Sequence, residues 1–281
     1  MNTDNILAVL VLYNCKLEES ETFMSLSKAL VGTIRSLDLL VYDNSPESHF
    51  DKNMILGYSG NITYIHDSTN PGICKAYNTG FEKALAINKK WLLLLDQDTE
   101  ITLELLKGIS KYAHRSSCYV AIIPIVCSNE RIVSPSRSDY MGRLKPILRN
   151  EANGLLKNIT GINTGACLKI DFLNQIKGFT KEYPLDMLDH WFFRVVNSLG
   201  KTIYVLNTEL KHELSVMNFQ KQISAKRYYS ILQAERRFYN ESFKELVLYK
   251  ARLFLRGLKQ GLYKDKKMFL MSFKFLFGKV R

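Results

Sequence analysis

Two carboxylates stand one residue apart in WLLLLDQDTEI, Trp91–Ile101, directly after five apolar residues. An apolar strand that ends in Asp96-Gln97-Asp98 offers oxygen ligands to a hard divalent cation. Such a cation neutralises a diphosphate and makes it a better leaving group. The competing role is structural, a loop pair capping the next helix, although Thr99 and Thr102 can cap without it. Phosphohydrolases that attack with an aspartate also place D-x-D after a strand, spelled D-x-D-x-[TV]. Here Glu100 fills the last position and the motif follows the fourth apolar run, not the first.

Other polar groups stand where apolar runs end: Tyr13-Asn14, Asp43-Asn44 and Asp67. Between Asp67 and the D-Q-D lies NPGICKAYNTG, Asn70–Gly80, with Gly72, Ala76 and Gly80 recurring on one helical face. Small residues let a backbone approach a ligand or a sheet, and a helix N-terminus favours phosphate. Helix–sheet packing alone would also explain them. The P-loop, the dinucleotide G-x-G-x-x-G after the first strand and the G-x-S-x-G elbow are all missing.

The elements that must position these groups are legible as alternation. Apolar runs at Asn5–Tyr13, Leu37–Asn44, Asn61–Asp67, Trp91–Asp96 and Tyr119–Cys127 have the length of buried strands. Helical spacing falls between them, at Ser20–Ser36, about Asn70–Lys89 and Ile101–His114. That pattern predicts a mostly parallel α/β sheet covered on both faces, with the site beyond the carboxyl ends of its strands. Residues 128–165 are less regular. Asn163–Ile170 predicts a strand, Asp189–Leu199 a helix stopped by Gly200, Lys201–Asn207 a strand, and the chain from about Ile223 a helical tail. The expected domains are 1–218, with a donor half 1–127 and an acceptor half 128–218, and a tail 219–281.

Of 281 residues, 46% are hydrophobic, enough for one large core. The five cysteines, Cys15, Cys74, Cys118, Cys127 and Cys167, are widely spaced with no C-x-x-C. They fit neither a zinc ribbon nor a disulfide framework and read as reduced thiols of a cytoplasmic protein. The N-terminus lacks the basic region of a signal peptide, and no run reaches the ~18 apolar residues of a membrane span. The net charge of +12 is confined to the tail: residues 219–281 hold 16 Lys and Arg against 4 Asp and Glu.

The order Tyr13-Asn14, Asp43-Asn44, N-x-G-x-x-x-A-x-N-x-G and LLLLDQD resembles the nucleotide-sugar glycosyltransferases of family 2, which have the GT-A fold. The D-Q-D form is similar to bacterial rhamnosyltransferases of surface polysaccharide synthesis. The resemblance covers about residues 6–215. It implies an inverting transferase using a nucleotide-diphosphate sugar donor, TDP-rhamnose or a UDP-sugar, with Mg²⁺ or Mn²⁺. It implies a glycan or lipid-linked sugar as acceptor. Tyr13 would stack near the pyrimidine and Asp43 accept a hydrogen bond from it. Asn70, Lys75 and Asn78 would line the donor site, with Lys75 reaching phosphate. Asp96 would lie by the ribose and metal shell, and Asp98 would bind the metal. His212 in LKHELS stands where the family often supplies a metal ligand, and a lone histidine is as readily structural.

The acceptor half, GINTGACLKI followed by IKGFTKEYPLDMLDHWFFR, matches a G-F, a short loop and acidic residues opening a helix. Inversion needs a carboxylate that takes the acceptor proton. Asp189 at the helix start is the first candidate and Asp186 the second; His190 and Trp191 follow Asp189 where the family has a further acidic residue, which leaves the choice between the two open. Both carboxylates would otherwise serve the helix dipole. Trp191 is a candidate acceptor platform or a core residue. In the tail, Phe254, Leu255, Leu258, Leu262, Phe269, Leu270, Phe273, Leu276 and Phe277 alternate with Lys and Arg. That basic amphipathic pattern predicts peripheral binding to an anionic membrane, the inner face of the cell membrane. The same aromatics would also serve a homodimer, or pack on the catalytic domain. Nucleic acid is not an expected partner, since no groove-reading motif accompanies the charge. The reading from a different class is a membrane- or nucleic-acid-binding module with a vestigial nucleotide site.

Overall fold

The computed structural model describes residues 3–31, 36–48, 50, 57–115, 118–128, 131–138, 143–211, 224–262 and 266–277. The chain forms two compact units, Met1–Arg137 with Leu144–Glu213 and Ser138–Arg143 with Leu214–Arg281.

The first unit is built on β1 (Ile6–Leu12), α1 (Glu21–Val31), β2 (Asp38–Asp43), β3 (Ile62–His66), α2 (Ile73–Ala86), β4 (Trp91–Asp96), α3 (Leu103–His114) and β5 (Tyr119–Ser128). Short strands β6 (Arg131–Ser134), β7 (Ser136–Ser138), β8 (Leu144–Pro146), β9 (Gly154–Leu156) and β10 (Cys167–Lys169) follow, then α4 (Ile170–Gln175), α5 (Leu188–Ser198) and β11 (Thr202–Lys211). The main sheet runs β3-β2-β1-β4-β10-β5-β11-β9, with β6 pairing β5. β1, β2, β3 and β4 are mutually parallel, as are β5 and β11. β10 is antiparallel to both neighbours.

Side-chain alternation decides which helix goes where. Ile6, Ala8, Leu10 and Leu12 of β1 join Leu26 and Leu30 of α1 and Leu105 and Ile109 of α3 in one core. Val9 points to the other face, where α2 lies on β1. Gly80 permits that approach: a Cβ there would sit 2.2 Å from Val9 Cγ2. Every residue of β1 and β5 is buried, as expected for strands covered on both faces.

The acceptor half departs from the expected pattern at Asn163–Ile170. Only Cys167–Lys169 is strand, and Ile170 already opens α4. A tight turn, closed by the Ala166 N–H to the Asn163 carbonyl (2.9 Å) with Gly165 at φ 72°, replaces the first half of the strand. That turn carries Thr164 to the end of β4.

The second unit contains α6 (Ala225–Phe238), α7 (Phe243–Leu262) and α8 (Lys266–Phe277). They share a core of Tyr228, Leu232, Tyr249, Leu253, Met268 and Phe275. A two-pronged ion pair from Arg256 to Glu235, both contacts 2.9 Å, fixes α7 against α6. The expected helical tail forms three helices around an interior of their own.

Candidate active site

β1 lies between β2 and β4; the chain leaves β1 toward β2 and leaves β4 toward β5 on the other side, so a crevice opens between the ends of β1 and β4. Tyr13 is the first residue after β1 and is half exposed. Its backbone N–H donates to Gln97 Oε1 at 2.8 Å, which stitches the end of β1 to the D-Q-D turn. Asn14 takes a left-handed conformation (φ 50°) and donates its N–H to Ser45 Oγ at 2.9 Å. Cys15 comes next. Burial, and then the negative charges of Glu19, Asp98, Asp43 and Glu18, push its thiol above the usual range. The charges of Asp43 and Asp98 thus both act on this thiol.

Most acidic groups here are already held. Asp43 is buried, with Oδ1 accepting the Ser45 N–H (2.9 Å) and Oδ2 accepting the Tyr64 hydroxyl. Burial, reinforced by that bond, pushes the Tyr64 hydroxyl up to about 12. Asp67 accepts from the Thr69 hydroxyl (2.5 Å), the Thr69 N–H (3.1 Å) and the Tyr42 hydroxyl (2.7 Å). The Thr69 and Tyr42 bonds, with the nearby Lys75 charge, hold its carboxyl below the ordinary value.

Asp96 is clamped between the two halves of the unit. Its Oδ2 accepts the Thr164 hydroxyl, and its Oδ1 accepts the Tyr77 hydroxyl at 3.4 Å. Tyr77 belongs to α2 and is fully buried. Its hydroxyl is raised well above the usual value by burial first, then by the charges of Asp96 and Asp189. Asp96 contacts that hydroxyl directly, and the charge of Asp189 acts on it through space. Asp98, two residues on, is exposed.

Asp189 occupies the first turn of α5, after Met187 in the left-handed conformation (φ 66°). Its Oδ1 accepts the N–H of His190 at 2.8 Å, and among the described residues no other hydrogen bond reaches its side chain. Asp186 and Trp191 lie half-buried on either side of it.

Asn70, Lys75 and Asn78 are placed differently from the D-Q-D edge. Asn70 is exposed and left-handed (φ 47°), its N–H on the Asp67 carbonyl at 3.2 Å. Lys75 and Asn78 line a cleft of about 610 Å³ along α2, together with Asp67, Thr69, Lys177 and Lys181. Asn78 is committed to backbone: Nδ2 donates to the Phe179 carbonyl and Oδ1 accepts the Phe179 N–H, both at 2.8 Å. It clamps the segment leading to α5 onto α2. Pro184 of that segment reaches the start of α2, where its carbonyl accepts the Cys74 N–H at 3.1 Å. Gly72, at φ 89°, makes room for it. The structure thus gathers Tyr13, Asp43, Asp96, Asp98 and Asp189, and sets Lys75 and Asn78 along a neighbouring cleft. His212 lies outside the described residues.

Comparison with known proteins decides the family. The model described as "Glycosyl transferase family 2" matches residues 8–171, more than half of the chain. The chain belongs to that family. It is a glycosyltransferase with a GT-A-like fold, a large mostly parallel sheet flanked by helices. The match spans β1 to the start of α4, so Asp186, Asp189 and Trp191 fall beyond it. No curated protein sequence matches the chain. Among solved structures, residues 1–349 of S. aureus TarS align with all of this chain and 93% of that one, at 14% identity and TM-score 0.49. A longer S. aureus TarS structure aligns with 86% of this chain and 44% of that one, at 14% identity and TM-score 0.46. A mannosyltransferase of Pyrobaculum calidifontis, in complex with GDP-Man and Mn²⁺, aligns over 98% and 88%, at 12% identity and TM-score 0.48.

Two site residues escaped the sequence reading. Tyr77 sits on the buried stripe of α2 with Ala76, Gly80 and Ala84. A hydroxyl on an otherwise small, apolar helical stripe was the available signal. Thr164 carried none, because only the unexpected turn brings it to Asp96.

Proposed function

We propose that this family 2 glycosyltransferase is an inverting, metal-dependent enzyme. Its donor is a nucleoside-diphosphate sugar, TDP-rhamnose as first candidate and a UDP-sugar as second. Its acceptor is a surface glycan or a lipid-linked precursor. The observation that carries the reading is the fixing of Asp96 by the Thr164 and Tyr77 hydroxyls at the end of β4, with Asp98 exposed two residues on.

A divalent ion would fit this donor set. Among the described residues no cluster of three His, Cys, Asp or Glu side chains could hold a metal alone. Mg²⁺ in transferase sites takes one or two carboxylates and completes its shell with substrate phosphate and water. Asp98, exposed at the end of β4, supplies such a carboxylate, and bound Mg²⁺ or Mn²⁺ would neutralise the departing diphosphate. Asp96, fixed by Thr164 and Tyr77, positions the D-Q-D turn that presents Asp98. Tyr13 offers a half-exposed ring for the base, and Asp43 holds the Ser45 loop beside it.

Asp189 is the base in this reading. Its Oδ2 is the oxygen that accepts the acceptor hydroxyl proton. The acceptor oxygen bonds to the anomeric carbon from the face opposite the diphosphate, whose oxygen leaves with the bonding electron pair. Position alone contributes much of such catalysis, and the Asn78 clamp on Phe179 anchors the segment that delivers α5.

The test is donor turnover and transfer in three variants. Asp98→Asn should lose metal-dependent nucleotide binding and turnover together. Asp189→Asn should bind donor normally and lose transfer, and Asp186→Asn should retain transfer. Full transfer by Asp189→Asn would remove the base assignment.

A further inference from the structure

α7 carries two apolar faces, and the second unit buries only one of them. Tyr249, Leu253 and Gly257 face the interior, and Leu246 packs against them. On the opposite side Phe243, Val247, Phe254, Leu255, Leu258 and Leu262 are exposed. Phe243, Val247, Phe254 and Leu258 are spaced by four and seven residues, and Leu255, Leu258 and Leu262 by three and four, which keeps them on one side of the helix. Over 20 residues at 1.5 Å each, the stripe runs about 30 Å. Leu255 is 63% and Leu262 83% exposed, values that a helix facing water alone would not select. On α8 Leu270 and Phe277 are likewise exposed, next to a ladder of Phe269, Phe273 and Phe277 rings.

The charge around the stripe points to its occupant. Lys250 and Lys259 flank it on α7, and Lys266, Lys267 and Lys274 stand exposed on α8. Of the acidic residues described in these helices, Glu235 is tied to Arg256. The whole net charge of the protein lies in this part of the chain. A second copy would bring the same positive charge against itself, which disfavours self-pairing through this face. An apolar stripe of Leu and Phe bordered by lysines matches the acyl boundary of an anionic bilayer, with the ammonium groups at the phosphates. No described helix is long and apolar enough to cross a membrane.

We propose that the outer face of α7, extended by Leu270 and Phe277 of α8, seats the protein on an anionic lipid surface, with α7 lying in the plane of the interface. This goes beyond the transferase reading and does not depend on it. The test is co-flotation of the full chain with phosphatidylcholine vesicles, with and without phosphatidylglycerol, for the wild type and for Leu255→Ser combined with Leu262→Ser. Both leucines are exposed, so the variant should melt at the wild-type temperature. The wild type should bind the anionic vesicles at least tenfold more tightly than the neutral ones. The double variant should lose at least tenfold of that binding while its nucleotide binding stays unchanged. Replacing Lys266 and Lys267 by Gln should weaken binding to anionic vesicles and leave the residual binding to neutral ones. The proposal is overturned if the wild type ignores anionic vesicles, or if the double variant binds them equally well. It is also overturned if the wild type is a dimer that the double variant converts to monomer, because the stripe is then a self-interface.

Discussion

The crevice at the end of β4 and the outer face of α7 are both open to solvent, and they are built in opposite ways. At the crevice nearly every polar group is tied down: Asp43 by Ser45 and Tyr64, Asp67 by Thr69 and Tyr42, Asp96 by Thr164 and Tyr77. Asp98 is exposed at the same turn, and Asp189 Oδ1 accepts the His190 N–H. The α7 face presents apolar area and net positive charge. A preorganised set of oxygens recognises one geometry, whereas apolar area with diffuse charge recognises a kind of surface. In the proposed readings the first region does the chemistry and the second sets location.

Substitutions should separate the two. The largest effect is expected at the crevice. Asp98→Asn and Asp189→Asn should each lower transfer by at least about 100-fold, the range of a lost metal carboxylate or general base. Thermal melts should show the fold intact. Neither should alter vesicle binding, which would blur the comparison if it changed.

Gly80→Ala tests the support beneath the crevice. The added methyl would meet Val9 at 2.2 Å. Overpacking there should outweigh the better helix propensity and destabilise the protein by about 1–2 kcal/mol in denaturant melts. Tyr77→Phe removes the hydroxyl that donates to Asp96. It should reduce turnover by about fivefold, corresponding to about 1 kcal/mol, and leave KM for the donor nearly unchanged. An unaltered rate would mean that Tyr77 only fills space.

The smallest effect is in acid. The carboxyls of Asp67 and Asp38 are lowered, the former by Thr69, Tyr42 and Lys75, the latter by Lys89 and Asn61, which outweigh its burial. A lowered folded value contributes stability above the ordinary carboxylate value of about 3.9, and this is lost as pH falls through the folded value. Melting temperature should therefore drop below about pH 4, and less steeply in Lys89→Met, whose Asp38 has lost its 2.6 Å partner.

The long elements were legible because burial on both faces leaves an unbroken apolar run, as in β1, β4 and β5, and burial on one face leaves a period, as in α1 and α3. The strands β6 to β9 were not placed, since three or four residues are too few to carry a period. Asn163–Ala166 read as strand because its residues are small and neutral. The left-handed Gly165 that bends it belongs to the tertiary setting of β4. The carboxylates of the site were visible because an apolar run ending in Asp-Gln-Asp is costly without a purpose. Their partners were not, because Thr164 and Tyr77 meet Asp96 only across the fold. The tail's apolar and basic residues were apparent as a pattern. The structure divides them, assigning Tyr249 and Leu253 to an interior and Leu255 and Leu262 to the outside.

The most direct test of the central claim is thermal stabilisation by UDP, TDP, GDP and CDP, each with and without Mn²⁺ or Mg²⁺, in the wild type and Asp98→Asn. A ligand at 100 times its Kd stabilises by about 2.7 kcal/mol, a shift of a few degrees for a chain of this size. The account predicts a metal-dependent rise with TDP or UDP that disappears in Asp98→Asn. A rise of equal size in Asp98→Asn, or none with any nucleotide, would contradict it.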